Sequence, residues 1–201
     1  MSTREHAILR HLGVELYKDR VRSDRLRREP EMSKKVLVTY ATKMGATAGI
    51  AAAIGSELRA AGLQADVQEI GAVKAVSEYD AVVLGSAIYR GRWRAEAVRF
   101  LRRHERQLRT RPVWLFHSGP IGADRDQDQP VPPDVARLAG LIQAAPVMTF
   151  AGELQADALT GHLSHHVELD SLVGDSRDWL KVRAWARDIA STLQPSATRS
   201  S

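Results

Sequence analysis

Near-continuous runs of aliphatic and β-branched residues recur between segments with helical periodicity, and this alternation restricts the fold more than any other feature. Val36-Leu37-Val38-Thr39-Tyr40, Ala81-Val82-Val83-Leu84-Gly85 and Val113-Trp114-Leu115-Phe116 have the length of strands and almost no polar alternation. A strand that is apolar on both sides must be covered on both sides, which is the condition of a parallel sheet with helices on each face. The pattern predicts strands at residues 35–40, 65–70, 81–85, 113–116 and 147–151. The clearest helix spans residues 46–61, with Ile50, Ile54 and Leu58 on one stripe and Gly62 placed to end it. A basic helix over 95–108 turns Ala97, Phe100, Leu101 and Leu108 inward, and a short helix covers 134–142. Asp178 opens a last helix whose Val182, Trp185, Ala186, Ile189 and Leu193 form one face. Residues 124–133 read as a surface loop and 152–176 as irregular. Five parallel strands with intervening helices allow two common strand orders, the dinucleotide-binding one and 2-1-3-4-5.

Composition removes whole classes of chemistry. The 201 residues include no cysteine, so a thiol nucleophile and a disulfide framework are excluded, a zinc cluster is hard to defend, and redox chemistry has to come from a bound group. No apolar run approaches the ~18 residues of a membrane span. Arg4, Glu5, Arg10, Glu15 and Lys18 leave no room for a signal-peptide core, so the expected location is cytoplasmic. Residues 1–31 are rich in charge and poor in apolar residues and are expected to form a flexible basic extension; Met32 is a second candidate start. The expected domain is 32–194, followed by a disordered tail at 195–201. Lys plus Arg number 29 against 24 Asp plus Glu, a formal charge of +5, which biases the chain toward anionic partners.

In an open parallel sheet, ligands lie beyond the carboxyl ends of the strands. After strand one, Ala41-Thr42-Lys43-Met44-Gly45-Ala46-Thr47 runs straight into a helix. A phosphate needs converging amides, the positive end of a helix and small or hydroxyl side chains, and this loop offers all three. A strand-to-helix turn would by itself also favour a glycine and a threonine cap. The Gly-Lys-Ser/Thr ending of a Walker loop and the Gly-x-Gly-x-x-Gly fingerprint are both missing. After strand three, Ser86-Ala87-Ile88-Tyr89-Arg90-Gly91-Arg92-Trp93 presents two aromatics as stacking platforms for a planar ring, or as anchors for the following helix. After strand four, the backbone of His117-Ser118-Gly119-Pro120 could meet the polar edge of a heterocycle, or make an ordinary Gly-Pro turn.

Thr42 to Thr47, the Val-Leu-Gly-Ser-x-Ile-Tyr pattern at 83–89 and the Ser118-Gly119 turn together resemble the flavodoxin superfamily, in particular bacterial flavodoxin-domain proteins grouped with menaquinone-dependent protoporphyrinogen oxidase. The Gly-Asp-Ser-Arg-Asp-Trp segment at 174–179 is similar to a recurring feature of that group. The resemblance covers residues 35–193. It implies a three-layer α/β/α sandwich with a five-stranded parallel sheet in the order 2-1-3-4-5 and one FMN. It further implies that Thr42, Lys43, Met44, Gly45, Ala46 and Thr47 hold the phosphate. Ser86, Ala87, Ile88, Tyr89, Arg90, Gly91 and Trp93 would border the isoalloxazine, with Ser118 and Gly119 on its far side. Met44 stands where flavodoxins often carry a third hydroxyl, and residues 154–176 lack the basic, aromatic character of the membrane-associated oxidase.

Arg90 and Arg92 beside the ring would stabilise an anionic reduced flavin and receive carboxylates. The implied function is therefore an FMN-dependent oxidoreductase that takes electrons from an anionic substrate and passes them to a quinone or another acceptor, in heme biosynthesis by analogy. The alternatives are an electron carrier serving a redox partner protein, or a flavin-free domain that binds a phosphate or a partner. A phosphoacceptor receiver is disfavoured, because Thr42, Lys43, Gly85 and Ser86 occupy the positions its acids would need. Gly161-His162-Leu163-Ser164-His165-His166 with Asp170 reads as a solvated loop, and no metal is expected. Arg99, Arg102 and Arg103 read as a solvent-facing helix surface, with nucleic acid disfavoured and any membrane contact peripheral.

Overall fold

Strand β1 (Lys35–Ala41) shows how the sequence builds its layers. Val36 and Val38 enter one core and Leu37 and Ala41 the other, so successive side chains feed opposite faces. β3 (Ala81–Tyr89) repeats this with Ala81 and Val83 against Val82 and Leu84. β5 (Val113–Ser118) does so with Trp114 and Phe116 against Val113 and Leu115. The computed structural model describes residues 33–119, 129–154 and 174–194. The chain divides into Met1–Ser33 and Lys34–Ser201, and every element below belongs to the second unit. The basic extension, the tail at 195–201, residues 124–128 of the expected loop and the cluster from Gly161 to His166 lie outside the described residues.

The parallel sheet runs β2 (Gln64–Glu69), β1, β3, β5 and β6 (Met148–Phe150). This is the expected order 2-1-3-4-5 for the parallel strands. Helices α1 (Ala46–Ala60) and α5 (Trp179–Leu193) cover one face, sealing Ile50, Ile54 and Leu58 against Val182, Ala186, Ile189 and Leu193. Each fully buried aliphatic side chain contributes roughly 2 kcal/mol. The Asp178 carboxylate caps α5 by accepting from the amides of Leu180 and Lys181, both at 2.9 Å. Gly62, at φ +87°, closes α1 as expected. The opposite face is covered by α2 (Ala95–Arg103), α3 (Glu105–Leu108) and α4 (Pro133–Leu141). Among the described residues no helix is long and apolar enough to cross a membrane.

Two expectations need correction. Strand three does not end at Gly85. It continues to Tyr89 and folds back through Arg90-Gly91 to pair with β4 (Arg92–Trp93). Both turn residues have positive φ, 51° and 70°, as the twist of a two-residue hairpin requires. Gly85 is there for a different reason, since a Cβ at that position would run into the Phe116 ring. The helix expected over 95–108 is interrupted at His104, whose φ of −104° separates α2 from α3.

Candidate functional site

Three strand ends deliver loops to one place. At the carboxyl end of β1, Gly45 takes a left-handed conformation at the N-cap of α1, and its amide donates to Thr42 Oγ1 at 3.0 Å. That conformation is one only glycine adopts freely. The first turn of α1 carries no acidic residue and no side-chain cap, so the amides that open the helix keep their positive end uncompensated. Thr47 is fully buried, and its hydroxyl meets that of Ser118, from the end of β5, at 2.8 Å. The helix start is thereby tied to the neighbouring strand end.

These loops enclose a cleft of about 170 Å³ lined by Thr42, Lys43, Met44, Ala46 and Thr47, by Ala87, Ile88 and Tyr89, and by Ser118 and Gly119. All ten were singled out from the sequence. Tyr89 stands at the rim, 48% exposed, with Lys43 Nζ at 4.9 Å and the Arg90 guanidinium at 5.5 Å from its ring centre. Gly119 brings β5 close to the hairpin, because a Cβ there would collide with the Ile88 side chain; its amide donates to the Phe150 carbonyl at 3.2 Å.

Five expected site residues take other roles. Gly45 shapes the turn. Ser86 is buried and spent on the hairpin, its hydroxyl accepting from the Arg94 amide at 3.0 Å and donating to the Ala87 carbonyl at 2.9 Å. Arg90 and Gly91 form the hairpin tip. Trp93 is not an exposed platform: it is 5% exposed and packed in the core beneath α2. Its indole N–H donates to His117 Nδ1 at 3.2 Å. An indole can only donate, so Nδ1 accepts, and Nε2 faces Thr149 Oγ1 at 2.9 Å.

Three further residues line the cleft without having been read from the sequence: Arg94, Gly152 and Glu153. Arg94 Nε pairs with Glu96 at 2.8 Å. Burial pushes the Glu96 carboxyl up, but its backbone hydrogen bond and Arg94 outweigh this and hold it below the usual carboxylate range. Glu153 belongs to β7 (Glu153–Leu154), paired with β8 (Gly174–Asp175). Arg177 gathers this corner. It reaches Glu153 at 2.8 Å, grips both oxygens of Asp175 at 2.7 and 2.9 Å, and lies 4.4 Å over the Trp179 ring. Its Nη1 also approaches the Ala46 carbonyl at 3.5 Å, at the start of α1. The hydrogen bond from Arg177 depresses the Asp175 carboxyl, and Asp175 in turn raises the guanidinium above its ordinary value. The Gly-Asp-Ser-Arg-Asp-Trp segment thus acts as a brace between the α1 start and the cleft wall. Among the described residues no group of carboxylates and imidazoles is placed to hold a metal ion.

Residues 37–169 match the family described as flavodoxin domain. Among characterised proteins, the chain is 31% identical over 84 residues to protoporphyrinogen IX dehydrogenase [quinone] of Escherichia coli strain K12, an alignment covering 41% of this chain and 46% of that protein. The match thus spans about half the length of that relative. An archaeal flavodoxin superposes with a TM-score of 0.55 at 15% identity, covering 79% of this chain and 98% of the other. A flavodoxin of Streptococcus pneumonia TIGR4 does so with a TM-score of 0.54 at 18% identity, covering 79% and 99%. At these identities the superpositions speak for the fold.

Proposed function

Since the chain belongs to the flavodoxin-domain family, we propose that its cleft binds FMN and that it works as an oxidoreductase acting on an anionic substrate. The convergence of three strand-end loops on the uncapped start of α1 carries this reading. The residues suit the cofactor. The amides of Ala46 and Thr47 and the Thr42 hydroxyl would receive the phosphate, and Lys43 adds a positive charge beside them. Thr47, held by Ser118, fixes the helix start rather than offering a free hydroxyl. Ala87 and Ile88 give an apolar wall for the ring, and Tyr89 a face to stack on it. FMN would supply the electron transfer, which the protein's own side chains cannot perform.

What remains to the chain is binding, orientation and charge. Arg94 in the cleft wall is paired with Glu96, which leaves Lys43 and Arg90 as the cations beside Tyr89. Their charges favour a negatively charged reduced cofactor and attract carboxylates. The similarity to protoporphyrinogen IX dehydrogenase [quinone] supports a porphyrinogen as substrate and a quinone as acceptor. A second reading, an electron carrier serving another protein, is favoured by the half-exposed Tyr89 at an open rim, where a partner's redox centre can approach.

Two experiments test these readings in order. Purified protein incubated with FMN and desalted should retain flavin absorption, and Thr47→Leu should lose it; colourless wild-type protein refutes the cofactor reading. Flavin-loaded protein should then oxidise protoporphyrinogen in the presence of menadione. Retained flavin without turnover leaves the carrier reading.

A further inference from the structure

Helix α2 and the turn after it carry a second surface that the flavin reading does not use. Arg99, Arg102, Arg103, Arg106 and Arg109 are all exposed and recur at three- and four-residue intervals. Arg99, Arg102 and Arg103 lie on α2, and past the break at His104 Arg106 and Arg109 follow on α3 and at its C-terminal end, together a basic ridge. None of them makes an ion pair within the described residues, in contrast to Arg94 and Arg177. A shallow groove lies on each side of this ridge, of about 710 and 660 Å³, and Arg99 and Arg102 border both. The floors are apolar: Trp93, Val98 and Pro132 in the first, Ile70, Val73 and Phe100 in the second. The acids in the grooves are already engaged, Glu96 by Arg94 and Asp134 by the Val135 amide at 3.0 Å. Within the 99–109 segment itself Glu105 is the one acid.

We propose that this arginine ridge and its two grooves are a docking surface for an acidic protein partner. The use of arginine throughout points to bidentate capture of carboxylates, for which a guanidinium is better shaped than an ammonium. The apolar floors on both sides decide between anionic partners. A polypeptide carrying carboxylates interleaved with apolar side chains fills ridge and grooves together, whereas a phosphate backbone uses only the ridge. A lipid surface calls for exposed apolar anchors, and the large apolar side chains most exposed in the described structure, Tyr89, Leu141 and Leu180, line neither groove. The first groove is walled by Gly91, Arg92 and Trp93 of the same hairpin that sends Tyr89 to the flavin cleft. A partner seated there touches that hairpin, so the surface serves electron exchange. That purpose rests on the flavin reading, while the docking itself does not.

The test uses the full chain and poly-L-glutamate as the acidic probe, with binding followed by fluorescence anisotropy at rising salt. Binding should weaken with salt, and Arg99→Glu with Arg102→Glu should weaken it at least about tenfold. A charge-matched control, Arg183→Glu with Arg187→Glu on α5, should leave it near wild type; circular dichroism checks the fold of both. Equal weakening in the two variants would reduce the effect to net charge and overturn the proposal. So would absence of binding to poly-L-glutamate, or tighter binding to a single-stranded oligonucleotide or to phosphatidylglycerol vesicles. No arm involves flavin, so failure to retain FMN would count against the proposed function alone.

Discussion

Replacing Arg177 with methionine should loosen the corner that holds the cleft wall to the start of α1. The side chain is 11% exposed and makes three charge-assisted contacts, two with Asp175 and one with Glu153. Breaking a fully buried pair costs about 3 to 5 kcal/mol, and a surface pair is worth at most about 1. Glu153 is 20% and Asp175 38% exposed, so the loss lies between these limits, at about 2 kcal/mol. For a domain of this size that lowers Tm by roughly 4 to 8 °C. Urea unfolding at physiological ionic strength measures it directly, and acid supplies an internal control. The folded Asp175 carboxyl sits below its ordinary value of 3.8, chiefly because Arg177 donates to it. Its stabilisation is therefore complete above that value and fades as pH falls through the lower folded one. The gap between wild type and Arg177→Met should be level from about pH 7 to 5 and should narrow below about pH 3.8. A gap under about 0.5 kcal/mol, or one that stays constant into acid, would refute the bracing role.

Other outcomes follow from single residues. Thr39 is fully buried on β1 and its hydroxyl has no hydrogen-bond partner among the described residues, so Thr39→Val should raise stability by about 1 kcal/mol in denaturant unfolding. Arg90 holds a left-handed conformation at φ 51°; Arg90→Asn should stabilise the hairpin by up to about 1 kcal/mol, read by the same assay. In Gly119→Ala the new methyl would strike Ile88 and push it into the cleft. FMN affinity, measured by fluorescence titration, should then drop about tenfold or more, with a smaller change in unfolding midpoint.

The strand order and the cleft-lining residues at the start of α1 were readable because their signals are local. Apolar runs of strand length fix which segments are central, and a Gly-x-Thr at the start of a helical stripe marks where amides face outward. Gly85-Ser86 looks like the end of β3, whereas Gly85 makes way for the Phe116 ring and Ser86 pins the hairpin. Arg90-Gly91 is also a poor turn signature, since the left-handed first position is normally Asn, Asp or Gly. Aromaticity points Trp93 to the cleft, but it is the other reading, an anchor for the following helix, that holds: Trp93 packs into the core with Ala97 and Leu101, and its indole N–H is taken by His117. Glu153 and Arg177 could not be read locally, because what places them at the cleft is distant in sequence: Arg177 reaches Glu153 and the Ala46 carbonyl. The recurring 174–179 segment was the one trace of that brace in the sequence.

The central claim is that the start of α1 holds a phosphate, and comparing FMN with riboflavin tests it most directly, since the two share the ring and differ only in that group. Several charge-assisted hydrogen bonds to amides and hydroxyls should make FMN bind at least about a hundredfold tighter, and Thr47→Leu should erase most of the difference. Equal affinity for the two flavins, or a preference that survives Thr47→Leu unchanged, would contradict the account.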